Sequence, residues 1–177
     1  MTYTQHYDSP LGGILLAADE EGLTGLWFDG QKYFARTLPK EYAESETPVL
    51  CEAKRWLDIY FSGREPDFTP PLHPEGSAFQ QVVWALLLEI PYGETTTYGT
   101  LARKLAEKQG LTHMSAQAVG GAVGHNDISL IIPCHRVVGA NGSLTGYAGG
   151  VDKKIKLLEL ERADMKSFFV PKKGTAL

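Results

Sequence analysis

Apolar and polar residues along the chain change their rhythm several times, and each change predicts an element. Residues 3–8, 13–18 and 23–28 carry the apolar and aromatic content of short strands. Between them stand Ser9-Pro10-Leu11-Gly12 and Asp19-Glu20-Glu21-Gly22, both turn-forming, so the N-terminal stretch predicts a small antiparallel meander. Residues 30–47 are charged and mixed, which predicts loop or weak helix. From Pro48 to Phe61 the apolar positions Leu50, Trp56, Leu57, Tyr60 and Phe61 take helical spacing, with proline at the start. Residues 62–76 hold four prolines and two glycines and read as a linker.

Beyond the linker the period is helical. Ser77 caps a helix through Phe79, Val82, Val83, Leu86 and Leu87, which Pro91-Tyr92-Gly93-Glu94 ends. Thr96 or Thr97 caps a second helix with Leu101, Ala102 and Leu105 on one face. A Gly110-containing turn leads to a third, residues 115–124. Two short helices joined by such a turn form a helix-turn-helix pattern. Asp152 is the expected cap of a last helix through Ile155, Leu157, Leu158 and Leu160, followed by a Lys/Pro/Gly-rich tail expected to fray. The expected architecture is α+β with two domains: residues 1–74 an α/β supporting domain, residues 75–177 a mostly helical one.

Composition narrows the function classes. No apolar run reaches membrane-spanning length, and the N-terminus lacks a basic region followed by a hydrophobic one, so a cytoplasmic protein is expected. Two cysteines, Cys51 and Cys134, are too few for a disulfide framework and lack metal-ligand spacing. The net charge of −4 argues weakly against nucleic acid, but it is unevenly divided. Residues 1–74 hold six Lys/Arg against twelve Asp/Glu, whereas residues 75–177 hold eleven against nine.

The candidate chemistry sits in Pro133-Cys134-His135-Arg136-Val137, directly after the apolar run 128–132. An imidazole beside a thiol can raise its thiolate fraction, although a buried cysteine can equally be packing. The third helix is unusual because Ala116, Gly120 and Gly124 fall four apart and Gly121 adds another helix-weakening residue. That stripe suits either tight helix packing or a flat face against DNA. Glu161 lies three and four residues after Leu158 and Leu157. It is either a buried carboxylate needing a partner such as His135 or a solvated edge residue.

In order, the blocks around Pro91-Tyr92-Gly93-Glu94, Tyr98, Ala118-Val119-Gly120-Gly121-Ala122, Pro133-Cys134-His135-Arg136-Val137 and residues 142–150 closely resemble the O6-alkylguanine-DNA alkyltransferases, from about Phe79 to Glu161. The resemblance implies a ribonuclease H-like first domain and a winged-helix-like second one. It implies direct-reversal repair: the alkyl group of O6-alkylguanine, or less efficiently O4-alkylthymine, passes irreversibly to Cys134 after the base is flipped through the minor groove of duplex DNA. It implies a single-turnover methylated-DNA–[protein]-cysteine S-methyltransferase acting as a monomer, with no metal, cofactor or membrane.

By the same resemblance Cys134 is the acceptor, His135 the base acting through a water, and Glu161 its orienting partner. Asn126 orders the turn and Tyr98 donates a hydrogen bond to the purine. Val137, Tyr147 and Ala148 line the pocket, while Thr97, Gln117, Ala118, Gly120 and Gly121 face DNA or substrate. Arg136 is expected to pair with an acid. If the segment is extended, Cys134 and His135 point to opposite sides. The chain departs from the family pattern in carrying Gln117 in place of an arginine finger, and Asn126-Asp127 in place of Asn-Pro, which adds a negative charge near DNA. The rivals are a non-reacting lesion-recruitment protein, in which the cysteine is replaced, a Cys-His hydrolase, and a helix-turn-helix regulator.

Overall fold

The computed structural model describes residues 1–171. The expectation for the extreme tail, from residue 172, lies outside them. Two compact units divide the chain: Met1–Glu75 with Asp127–Ile131, and Gly76–Asn126 with the residues from Ile132 onward.

In the first unit β1 (Tyr3–Ser9), β2 (Gly12–Ala18) and β3 (Leu23–Phe28) form the expected antiparallel meander. Its first turn is tight because Ser9 Oγ donates to the Gly12 carbonyl and accepts from the Leu11 N–H. Its second is an Asx-type turn in which Asp19 Oδ1 accepts the N–H groups of Glu21 and Gly22. A two-residue strand, β4 (Ala43–Glu44), pairs parallel to β1, so the sheet order is β3-β2-β1-β4. The mixed composition of residues 30–47 gave no sign of this strand, which is too short for a period to develop.

Helix α1 (Pro48–Phe61) has the expected bounds. Thr47 caps it by accepting from the Leu50 N–H, and Leu50, Ala53, Trp56, Leu57 and Tyr60 form its buried stripe. Strand β3 is almost wholly buried, and Gly25 is needed there because the Trp27 indole lies where a Cβ would stand.

Among the described residues no strand lies on the outer side of β3, and two irregular segments satisfy its backbone instead. Leu23 exchanges hydrogen bonds with Pro71 and His73, and Leu26 exchanges them with Asp127 and Ser129. Covering an edge in this way removes a template for aggregation. The proline-rich stretch 62–76 is therefore not a free linker, since its second half is pinned to the sheet.

Asp127 is also a correction. It is buried, with Oδ1 accepting from Trp27 Nε1 at 3.1 Å and Oδ2 pairing with Arg36 at 2.5 Å. Its charge is taken up inside the first unit rather than offered to DNA.

In the second unit α2 (Ala78–Leu87) starts with a reciprocal capping box between Ser77 and Gln80, and Trp84 Nε1 donates to the Ala122 carbonyl at 2.9 Å. Helix α3 (Tyr98–Lys108) is capped by Thr97, and α4 (Ala116–Gly124) by Ser115. They pack on each other across residues 109–115, in the place of the expected helix-turn-helix. Two residues before α3, β5 (Thr96–Thr97), pair parallel with β6 (Val137–Val138). The last helix, α5 (Val151–Leu160), is preceded by Gly150 at φ +100°, and Asp152 lies in its first turn without capping it. No helix among the described residues is long and apolar enough to cross a membrane.

Replacing Arg36 by Leu leaves the Asp127 carboxylate buried with one donor removed. The expected cost is about 2 kcal/mol, because an under-satisfied buried charge retains its desolvation penalty. A urea-unfolding midpoint unchanged from wild type would refute this account of the 127–131 anchorage.

Candidate active site

The chain leaves the second unit after Asn126 and returns at Ile132, and the base of this excursion is closed by a 2.8 Å hydrogen bond from Asn126 Nδ2 to the Ile132 carbonyl. Two residues later Cys134, His135 and Arg136 form one turn of 3-10 helix, so the extended case weighed in the sequence does not apply. With about three residues per turn, successive side chains point in three directions. Cys134 and His135 therefore do not face each other, though for a different reason from the one the sequence suggested. All three side chains are buried.

Glu161, the residue that ends α5, collects the other two side chains. His135 Nε2–H donates to its Oε2 at 2.6 Å, Arg136 Nε to Oε1 at 2.8 Å, and the Arg136 Nη2 group to Oε2 at 3.2 Å. The Gly93 N–H adds a 3.0 Å bond to Oε1, and Arg136 Nη1 reaches the Ile90 carbonyl at 2.7 Å. Burial on its own would raise the carboxyl, but the His135 and Arg136 bonds outweigh it and hold Glu161 well below the usual carboxylate range. The acid expected for Arg136 is thus the one expected for His135. Burial pushes the imidazole down, against the pull of Glu161, so His135 is neutral. Its contact with Glu161 is a charge-assisted hydrogen bond that fixes the proton on Nε2 and leaves the acceptor lone pair on Nδ1.

Burial raises the Cys134 thiol. The Asn126 side chain, the field of Lys154 and the N–H groups of Cys134 and His135 favour the thiolate. Tyr98, first residue of α3, is held near the cysteine turn because its neighbours Thr96 and Thr97 pair with Val137 and Val138. Burial and the Cys134 charge raise its phenol, which stays protonated. Its hydroxyl is buried and, among the described residues, has no hydrogen-bond partner.

The Tyr147 ring stands edge-on to His135, with centroids 6.3 Å apart. Val137 is fully buried and Ala148 half-buried.

The remaining expected residues divide along α4. Gln117 and Ala118 are exposed in its first turn, and Gly121 faces open space. Gly120 is buried, and a Cβ there would meet the Tyr98 ring at 3.7 Å. The small-residue stripe is therefore split: Gly120 seats Tyr98, while Ala116 is exposed. Thr97 is half-buried, its hydroxyl taken by the cap of α3.

Two family models cover the chain: the 6-O-methylguanine DNA methyltransferase ribonuclease-like domain matches residues 2–74, and the DNA binding domain of the same methyltransferase matches residues 78–163. The chain belongs to this methyltransferase family. The methylated-DNA–protein-cysteine methyltransferase of Methanosarcina acetivorans is 47% identical over 160 residues, which are 90% of this chain and 97% of that protein. Its counterpart from Haemophilus influenzae is 42% identical, covering 90% of this chain and 86% of that one. Among solved structures, Mycobacterium tuberculosis OGT in complex with DNA superposes with a TM-score of 0.78 at 41% identity, covering 91% of this chain and 94% of the other.

In this methyltransferase the sequence reading passed over two residues of the site. One is Gly93, whose N–H binds Glu161 and whose φ of +80° suits glycine. The other is Lys154, fully buried, with Nζ donating to the carbonyls of Val137 at 2.6 Å and Thr145 at 2.8 Å. A signal for it existed. Lys154, Leu158 and Glu161 stand at positions i, i+4 and i+7 of one stripe, so the logic that singled out Glu161 applies equally to Lys154.

The depressed Glu161 carboxyl has a consequence for stability. Its contribution is fully present above the unfolded carboxyl pKa of about 4.3 and is lost as pH falls below that toward the folded value. Glu161→Gln should flatten this acid limb. At neutral pH it should cost about 3 kcal/mol by leaving Arg136 buried without its counter-charge. Urea midpoints measured from neutral pH down to acid check both statements, and an acid limb as steep in the variant as in wild type would contradict the first.

Proposed function

We propose that Cys134 accepts the alkyl group of O6-alkylguanine in duplex DNA, once per molecule, and that the other buried groups of its turn serve that transfer. The observation carrying this reading is the buried thiol set beside a neutral imidazole whose Nε2–H is committed to Glu161. His135 Nδ1 then takes the Sγ proton through an intervening water. The thiolate attacks the alkyl carbon, an S–C bond forms, the C–O6 bond breaks, and its electron pair stays on the guanine. The Tyr98 hydroxyl donates to the purine ring as this charge develops, an interaction stronger in the transition state than before it. The thioether has no easy route back to thiolate, so the protein is consumed.

The reacting carbon is inaccessible inside the base stack, and the substrate nucleotide is therefore flipped out. The exposed first turn of α4, with Gln117 and Ala118, enters the minor groove, whose width of about 6 Å favours small side chains. Gln117 fills the gap left by the base without adding charge. O4-alkylthymine reacts more slowly in the same pocket. The protein works as a cytoplasmic monomer, with residues 1–74 as the supporting domain and 75–177 as the reacting one.

Intact and peptide masses after mixing with a duplex bearing one O6-methylguanine test the reading. One methyl per protein, on the Cys134 peptide and absent in Cys134→Ser, is the expected result. Unmodified protein that still binds the lesion would favour a recruitment role.

Replacing Gln117 by Arg should tighten DNA binding several-fold at low salt and steepen its salt dependence, since it adds a cation at the DNA-facing turn. Binding isotherms at several salt concentrations provide the check.

A further inference from the structure

Lys154 is a buried ammonium with two neutral partners. Its Nζ sits on the carbonyls of Val137, three residues after the cysteine, and Thr145, two residues before Tyr147. Among the described residues no carboxylate pairs with it. A wholly buried cation without a counter-ion is costly, and a methionine of similar length would fill the same space without that cost.

The ionisable groups around it account for the charge. On the neighbouring turn His135 is neutral, and Arg136 is balanced by Glu161 at the end of α5. Tyr147 lies on the adjoining loop. On α5 itself Asp152, Lys156 and Glu159 are exposed and Lys153 is half-buried. The buried cluster therefore holds an excess positive charge, that of Lys154, and the group able to become its anion is Cys134.

We propose that Lys154 is a positioning residue for the transfer: its ammonium, seated on the Val137 and Thr145 carbonyls, ties the cysteine turn to the Tyr147 loop and supplies the positive charge against which the Cys134 thiolate forms. This rests on Cys134 being the acceptor. Burial, partly offset by the charge of the cysteine, lowers Lys154 to about 8. The same field in reverse favours the thiolate. Lys154 keeps its proton throughout: the Sγ proton leaves through water, the S–C bond forms, and the guanine departs with its electron pair. Alkylation thus abolishes the anion while the cation stays.

The test uses the full chain in a Cys51→Ser background, because Cys51 is exposed and would also react. Lys154→Met removes both the charge and the donors, whereas Lys154→Gln removes the charge and keeps an N–H. For both, the pH profiles of transfer from an O6-methylguanine duplex and of Cys134 alkylation by iodoacetamide should move toward alkali by about one unit. At neutral pH that is a rate about tenfold lower. A rate that falls equally at all pH values, an unshifted profile, or a wild-type profile in the Gln variant overturns the proposal.

Should the variants not fold, the wild type still decides the matter. With lysine labelled for NMR, the Lys154 pKa should drop after one methyl is placed on Cys134, and an unchanged value overturns the idea. Wild-type protein that gains no methyl on Cys134 refutes the acceptor assignment together with this one. Wild type that is methylated while the Lys154 variants keep its pH profile refutes only the role of Lys154.

Discussion

A carboxylate removed from water must have its hydrogen bonds supplied by the protein, and Glu161 meets that requirement from three residues on two separate turns. His135 and Arg136 come from the cysteine turn, and Gly93 from the turn after α2. Each of these donors is held in position by the same carboxylate, so the end of α5, the 3-10 turn and the turn following α2 are fixed to one another. The imidazole tautomer follows from this arrangement. With Glu161 ionised, Nε2 must carry the proton, and only Nδ1 can act as a base.

The backbone frames this network with little material. A parallel pair only two residues long joins Thr96 and Thr97 to Val137 and Val138, and in doing so brings the first turn of α3 beside the cysteine turn. The Tyr98 ring lies on α4 over Gly120. Local rules of helix capping and glycine conformation thus set the distances among groups that are far apart in sequence.

Most of the elements were legible in the sequence because they follow strong local rules. Thr47-Pro48, Ser77 with Gln80, Thr97 and Ser115 mark helix starts by side-chain chemistry, and the meander is bounded by residues that favour turns. What escaped depends on pairing between distant residues. β4 exists because β1 has a free edge, and residues 71–73 are ordered because β3 has another. Asp127 shows no local sign that Trp27 and Arg36 will surround it. In the site, the cysteine, histidine and glutamate were candidates from the residues alone and the family resemblance gave them roles, whereas Lys154 needed only the helical period, read against the habit of assigning lysines to the surface.

The route of residues 127–131 bears on how the molecule can be divided. Although the proline-rich stretch 62–76 looks like the natural place to cut, the stretch just ahead of the cysteine turn completes the first unit by pairing with β3. A fragment beginning near Gly76 would carry Ile128, Leu130 and Ile131 with no sheet to bury them, and the complementary fragment would present an open β3 edge. Each piece would thus display a sticky surface made for the other. Protein engineers seeking a minimal alkyl acceptor from this scaffold would do better to rebuild that loop than to shorten the chain.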